Sequence, residues 1–220
     1  MPCCWNHCDP SGRVGRRSQK RCGGRRRRDR GSRDRGRRTR PRAVGLLALL
    51  PTVVEAVAPR PVLAAGGIAN GRGLAAALSL GAEGVWIGTR FVASDECAAH
   101  PEYKRRLLEA RETDAVYSDI PRVPWPTRVP HRLLKSPLTE GRSPPSRPIA
   151  RNLLGDKSVD VLPFASAPPT IETVGRTELM PNYAGQGVGL IHEILPAAAI
   201  VEQVVSEAHH TIRRLPELLT

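Results

Sequence analysis

Apolar residues along this chain fall into three patterned blocks, separated by polar and proline-rich sequence. The first, Ala43–Ala58 (AVGLLALLPTVVEAVA), has helical spacing. It predicts a core-facing helix with Pro51 near its first turn, Val53, Val54 and Val57 inward and Glu55 outward. The second and clearest block is Pro61–Phe91. Pro61–Ala65 is a short apolar run ending at Gly66-Gly67, the profile of a fully buried parallel strand. Asn70 is placed to cap a helix carrying Leu74, Ala75, Leu78 and Leu80 on one face, and Gly81 stops it. Gly84–Ile87 is a second short apolar run, ending at Gly88-Thr89. The third block, Pro196–Leu215, predicts a helix with Ala197, Ile200, Val201, Val204, Val205 and Ala208 as an i, i+3, i+4 stripe.

Between the second and third blocks the pattern weakens. Pro101–Arg111 predicts a helix capped by Ser94 or Asp95, with Lys104, Arg105 and Arg106 on a solvated face. Glu112–Arg151 is rich in proline and reads as a meander or linker. Leu153–Ile171 predicts at most a short strand or a surface loop.

The spacing of the two glycine turns carries chemistry. Gly66 and Gly88 are 22 residues apart, which fits one helical crossover between adjacent parallel strands. Both turns then lie at the carboxyl ends of neighbouring strands. A peptide N–H beside a glycine approaches an anion closely, and a following helix N-terminus adds partial positive charge. Two such turns side by side make a cup for one phosphate, as the loops after strands seven and eight do in (β/α)₈ barrels. Either turn alone is read more simply as a tight strand–helix connection.

Composition changes the picture in one respect. The net charge is +13, yet sixteen of the 34 basic residues and three of the 21 acidic ones lie within residues 1–42. That leader therefore carries the whole net charge, and the remainder is balanced. It lacks apolar periodicity and is expected to be disordered. An arginine-rich arm for nucleic acid is one reading of it, although Trp5 is its only aromatic. A transit peptide is a second, but no amphipathic helix is evident. Pattern-free Arg/Gly sequence abutting a patterned domain is also what a misassigned start or a shifted reading frame produces. The Cys3, Cys4, His7, Cys8 cluster matches no common zinc spacing, so no metal site is expected. Cys97 is the only cysteine outside the leader, so no disulfide framework is implied. The Ala43–Ala58 run is too short to span a membrane, and a cytoplasmic location is expected.

The run AAGGIANGRGLAAALSLGAEGVWIGTRF (Ala64–Phe91) resembles the FMN-phosphate end of the nitronate monooxygenase family, formerly the 2-nitropropane dioxygenases. HPEYKRRLLEA (His100–Ala110), WPTRVPHRLL (Trp125–Leu134), YAGQGVGLI (Tyr183–Ile191) and the closing helix after LPAA (Leu195–Ala198) follow in family order. The resemblance covers about Ala43 to Leu219.

It implies an FMN-dependent oxidoreductase of α/β class, the C-terminal portion of a TIM (β/α)₈ barrel with a partly helical added domain. The implied reaction oxidises alkyl nitronates, and in some members nitroalkanes, with molecular oxygen to a carbonyl compound and nitrite. By the resemblance Gly66 and Gly67 hold the FMN phosphate after strand seven. Trp86, Ile87, Gly88 and Thr89 hold it and neighbouring flavin atoms after strand eight. Tyr183 and Gln186 lie in a motif near flavin or substrate. The implied division is a leader (1–42), a barrel segment containing the last two βα units (43–111) and an extension (112–220). A catalytic base is not assigned. The family's histidine closes a Gly-rich segment, whereas here Gly23-Gly24 is followed by Arg25, and His100, His131 and His192 stand outside that motif. The expected partners are a small nitronate or nitroalkane and O₂. Two alternatives remain: another phosphate-binding barrel, such as an FMN-dependent enoyl reductase, and a nonenzymatic RNA-binding protein using the leader.

Overall fold

The computed structural model describes residues 44–121 and 130–218. The leader and the first residues of the Trp125–Leu134 motif lie outside the described residues.

The glycine-punctuated block folds as one strand–helix–strand unit. Strand β1 (Leu63–Ala65) pairs in parallel with β2 (Gly84–Trp86), with Leu63 opposite Gly84 and Ala65 opposite Trp86. Helix α2 (Gly71–Ser79) makes the crossover. Asn70 caps it, its side-chain oxygen accepting the Gly73 N–H at 3.1 Å, and Gly81 ends it at φ +90°. The leucines do not set the buried face as the pattern predicts. Gly71, Ala75 and Ala77 are buried, Leu74 is half-buried and Leu78 is 38% exposed. Gly71 is small because a second helix lies almost in backbone contact with it, whereas Ala77 packs into the core under the sheet.

Before this unit, helix α1 (Leu46–Val57) buries Leu50 and half-buries Val53 and Val54. Pro51 sits inside the helix rather than in its first turn, and Val57 is exposed. Leu50, Val62, Ala64, Ala77 and Ala82 form the core between α1, α2 and one face of the sheet. Each side chain of valine or leucine size buried there contributes about 1.5–3 kcal/mol. The expectation of strands buried on both faces is corrected. Leu63 is 46% and Trp86 67% exposed, because nothing among the described residues packs on that second face.

Downstream, α3 (Thr89–Val92) is one turn, and α4 (Pro101–Glu109) is capped by His100 rather than Ser94 or Asp95. His100 Nδ1 accepts the Glu102 N–H at 3.1 Å. The basic run of α4 is not uniformly solvated. Lys104 is buried and donates to the Ser94 carbonyl at 2.5 Å. Arg106 reaches Asn182 Oδ1 at 2.9 Å, and Arg105 alone lies exposed, paired with Glu102 and Glu109. Long apolar stems let such residues bury while their heads find oxygen partners.

The expected meander, Glu112–Arg151, contains one antiparallel sheet, and a second runs from its end through the Leu153–Ile171 stretch to Gly175. Strands β3 (Ala115–Ser118) and β4 (His131–Leu134) form one. The other has the order β6 (Lys157–Val161), β5 (Ala150–Leu154), β7 (Thr173–Gly175). Helix α5 (Ala197–Arg214) closes the fold by packing on α2. Only Ile200, Val204 and Ala208 of its stripe are buried; Val201 is 51% and Val205 43% exposed. Residues Leu46–Thr220 form one compact unit.

Candidate functional site: a glycine cup closed by a C-terminal strap

Parallel pairing of β1 and β2 brings both glycine turns to one end of the sheet. Gly66 (φ +102°) and Gly67 (φ +74°) adopt backbone that side-chain-bearing residues rarely enter. No atom would lie within 4 Å of a Cβ built on Gly66, Gly67 or Gly88. The turns therefore border open space. That space is a concavity of about 90 Å³ lined by Gly66, Gly67, Ile68, Ala69, Trp86, Gly88, Thr89, Gly185 and Gly187. Pockets that enclose a drug-sized ligand run to about 300–1,000 Å³. The cup thus has room for one small anionic group and not for a ring system as well.

Its donors come from the turns rather than from helix ends. The N-terminus of α2 is already served: Asn70 takes the Gly73 N–H, and Glu207 of α5 takes the Gly71 N–H at 2.8 Å. The single turn of α3 is too short to sum a useful dipole. Thr89 is placed differently. Its Oγ1 accepts the Gly185 N–H at 3.0 Å. A hydroxyl has one proton and two lone pairs, so that bond leaves the Thr89 proton free to donate.

Gly185 and Gly187 are the site residues that the sequence pattern did not reveal. They belong to a short turn, Gln186–Leu190 with its cap Gly185, that crosses the cup. A Cβ on Gly187 would stand 2.6 Å from the Gly67 carbonyl oxygen and 2.9 Å from its carbon. The two glycines let this strap lie on the first glycine turn. The spacing Gly185-Gln186-Gly187 is the signal that marks them in the sequence.

Among the residues singled out from sequence, the structure gathers Gly66, Gly67, Trp86, Gly88 and Thr89 around the concavity. Ile87, Tyr183 and Gln186 are not in its lining. The Tyr183 hydroxyl donates to the Ser166 carbonyl at 2.7 Å, and its ring meets His131 edge-on. Gln186 is exposed. His100 is committed to capping α4, and His192 is exposed outside the cup. Partial burial raises the Tyr183 phenol above its ordinary value. Fuller burial does the same to Tyr103, whose hydroxyl donates to the Tyr183 carbonyl at 2.5 Å. Both phenols are thus held as neutral donors, Tyr103 on α4 and Tyr183 on the segment packed against it. Among the described residues no His/Cys/Asp/Glu group is arranged to hold a metal ion. No helix among them is long and apolar enough to cross a membrane.

A parallel strand–helix–strand unit with a glycine cup at its carboxyl end defines an α/β protein with a concavity where ligands of such sheets commonly bind. The chain belongs to the nitronate monooxygenase family, whose sequence profile matches residues 29–207. It is 35% identical over 182 residues to a Mycobacterium tuberculosis protein, Rv1533, that carries the name of a monooxygenase. That alignment takes in 80% of this chain and 46% of the relative, so the chain spans about half the length of the relative it matches. Among solved structures it is similar to a FabK mutant (M276A) from Thermotoga maritima, with TM-score 0.61 and 34% identity over 80% of this chain and 49% of that one. It is also similar to the nitroalkane oxidase from Streptomyces ansochromogenes, with TM-score 0.52 and 28% identity over 77% of this chain and 46% of the other.

Proposed function

We propose that this chain supplies the FMN-phosphate end of a flavin-dependent oxidoreductase of nitronate monooxygenase type. In this reading the strand–helix–strand unit is the last two βα units of a (β/α)₈ barrel, spanning residues 43–111, and residues 112–220 are the extension that covers them. The observation that carries the proposal is the cup: two glycine turns at the ends of adjacent parallel strands, open where a Cβ would stand, with a threonine proton left free. The group fits those residues. The amides of the Gly66-Gly67 and Gly88-Thr89 turns would hold its phosphate, and the Thr89 hydroxyl would add a donor. Bound FMN would supply the electron transfer between substrate and oxygen.

The chain's own residues set a limit on the chemistry. Among the described residues, no histidine, aspartate or glutamate lines the cup. A neutral nitroalkane needs a base to remove its α-proton, whereas a nitronate has already lost it. The substrate class proposed for the chain, a nitronate, rests on the family to which it belongs. The two-stranded sheet, with Leu63 and Trp86 exposed, encloses no ring-binding pocket. The chain alone is accordingly proposed to hold FMN weakly and to turn over slowly or not at all.

The test is a titration of the purified full chain with FMN and with riboflavin, followed by flavin fluorescence. Tighter binding of FMN supports the phosphate cup, and equal affinity for both refutes it. A yellow one-to-one complex that converts nitronate to nitrite refutes the claim of inactivity alone. A complex that instead reduces an enoyl thioester with NAD(P)H moves the assignment to the enoyl reductase alternative.

A further inference from the structure

Arg90 follows Thr89 directly and is 5% exposed. Its Nη1 donates to the Ala93 carbonyl at 3.2 Å and to the Glu193 carbonyl at 2.9 Å. Burial lowers the guanidinium from its ordinary value and the Glu193 charge opposes that shift, so the group stays a cation. Two consecutive residues therefore grip the two ends of one segment: Thr89 holds Gly185, and Arg90 holds Glu193. Between these points Gly187 rests on Gly67. Beyond them, Ser94 and Leu195 form a parallel bridge, with the Asp95 N–H on the Leu195 carbonyl at 3.1 Å.

We propose that Arg90 is a positioning residue for the anion cup. By bridging the Ala93 and Glu193 carbonyls it fixes the strap of residues 185–193. The Gly185 amide then occupies one lone pair of Thr89 Oγ1, and the hydroxyl proton is left for a phosphate monoester. Arg90 acts through Thr89 and does not itself touch the ligand. A guanidinium suits this task because both bonds leave one Nη1 held in a rigid plane, whereas the ammonium of a lysine sits on a flexible stem. The inference rests on the phosphate-holding role proposed above.

The test uses the full chain and its Arg90→Met, Arg90→Lys, Thr89→Val and doubly substituted Arg90→Met/Thr89→Val forms. Each is titrated with FMN, riboflavin and inorganic phosphate, the last by phosphorus NMR line broadening. Arg90→Met is expected to weaken FMN and phosphate by about tenfold while riboflavin changes by less than about twofold. Arg90→Lys is expected to lie between that and wild type, and it decides the matter alone where Arg90→Met does not fold. Adding Thr89→Val to Arg90→Met is expected to produce little further loss, since both act at one hydroxyl. An equal loss for FMN and riboflavin, or fully additive losses, overturns the positioning role. Wild-type protein that binds phosphate but neither flavin refutes the flavin reading, and the phosphate series then decides Arg90 by itself. Wild-type protein that binds none of the three overturns both.

Discussion

Among the described glycines, Gly71, the first residue of α2, leaves the least room for a Cβ, and it makes a sharp prediction. A Cβ there would lie 2.4 Å from both the Ala208 nitrogen and the Val204 oxygen and 2.6 Å from Glu207 Cβ. The first two are backbone atoms inside α5 and have no rotamer to change. Relief to an ordinary contact of 3.4 Å requires α5 to retreat by about 1 Å. Overpacking of this kind costs about 1–3 kcal/mol. The retreat also stretches the 2.8 Å bond from the Gly71 N–H to Glu207, and losing such a charge-assisted bond costs about 1.5–3 kcal/mol. Helix propensity acts the other way, favouring alanine by at most about 1 kcal/mol. Gly71→Ala is therefore expected to destabilise the protein by about 3 kcal/mol. For a unit of this size that lowers the thermal midpoint by about 6–12 °C. The assay is thermal and urea unfolding of wild type beside Gly71→Ala and Gly73→Ala. At Gly73 a Cβ would meet only the Ile68 Cγ2 methyl at 3.0 Å, which can move, so that variant is expected within about 1 kcal/mol of wild type. A Gly71→Ala protein as stable as wild type would refute the reasoning, because propensity alone would then have decided the outcome.

Two further outcomes follow from the same geometry. Gly187→Ala places a Cβ 2.6 Å from the Gly67 carbonyl oxygen, so the first glycine turn must shift; FMN affinity is expected to fall by about tenfold, and unchanged affinity would show that the strap does not shape the cup. Glu96 holds the start of α5, both carboxylate oxygens accepting the Ala197 N–H at 3.0 and 2.8 Å, and the backbone N–H groups of Glu96 and Ala197 lower its pKa. A depressed carboxylate pKa stabilises the fold above the unfolded value, about 4.3, and that contribution is lost as pH falls through the folded value. Glu96→Gln is thus expected to unfold at a lower temperature than wild type at neutral pH, with the gap closing as pH falls through the folded value. A gap between the two midpoints that persists in acid would count against the bond.

What the chain disclosed in its sequence was local, and what it concealed was not. The order from Pro61 to Phe91 was legible because each signal acts within a few residues: an apolar run, a glycine pair, Asn70 as a cap and Gly81 as a stop. The cup's first two walls came with it, since a 22-residue separation admits only a simple crossover. Its third wall did not, because the bond from Gly185 to Thr89 joins residues 96 apart. The sheet of β5, β6 and β7 escaped notice for another reason. Most positions of β6 are exposed, so the strand has no apolar alternation to read. On α4 and α5 the composition was read correctly as helical but the wrong faces were assigned. Lys104 is buried by its stem, and Val205 is exposed because α2 covers only part of the stripe.

The bond between Gly71 and Glu207 also puts a clock on assembly. Its partners are 136 residues apart in sequence. At translation rates of about 5–20 residues per second, about 7–27 s pass between synthesis of the helix that supports the cup and synthesis of the residue that locks it. Throughout that interval the small-residue side of α2, Gly71 and Ala75, has no α5 to cover it. The earliest-patterned part of the molecule is in this sense among the last to be secured. Until residues 185–207 are made, the glycine cup lacks both its strap and the helix behind it.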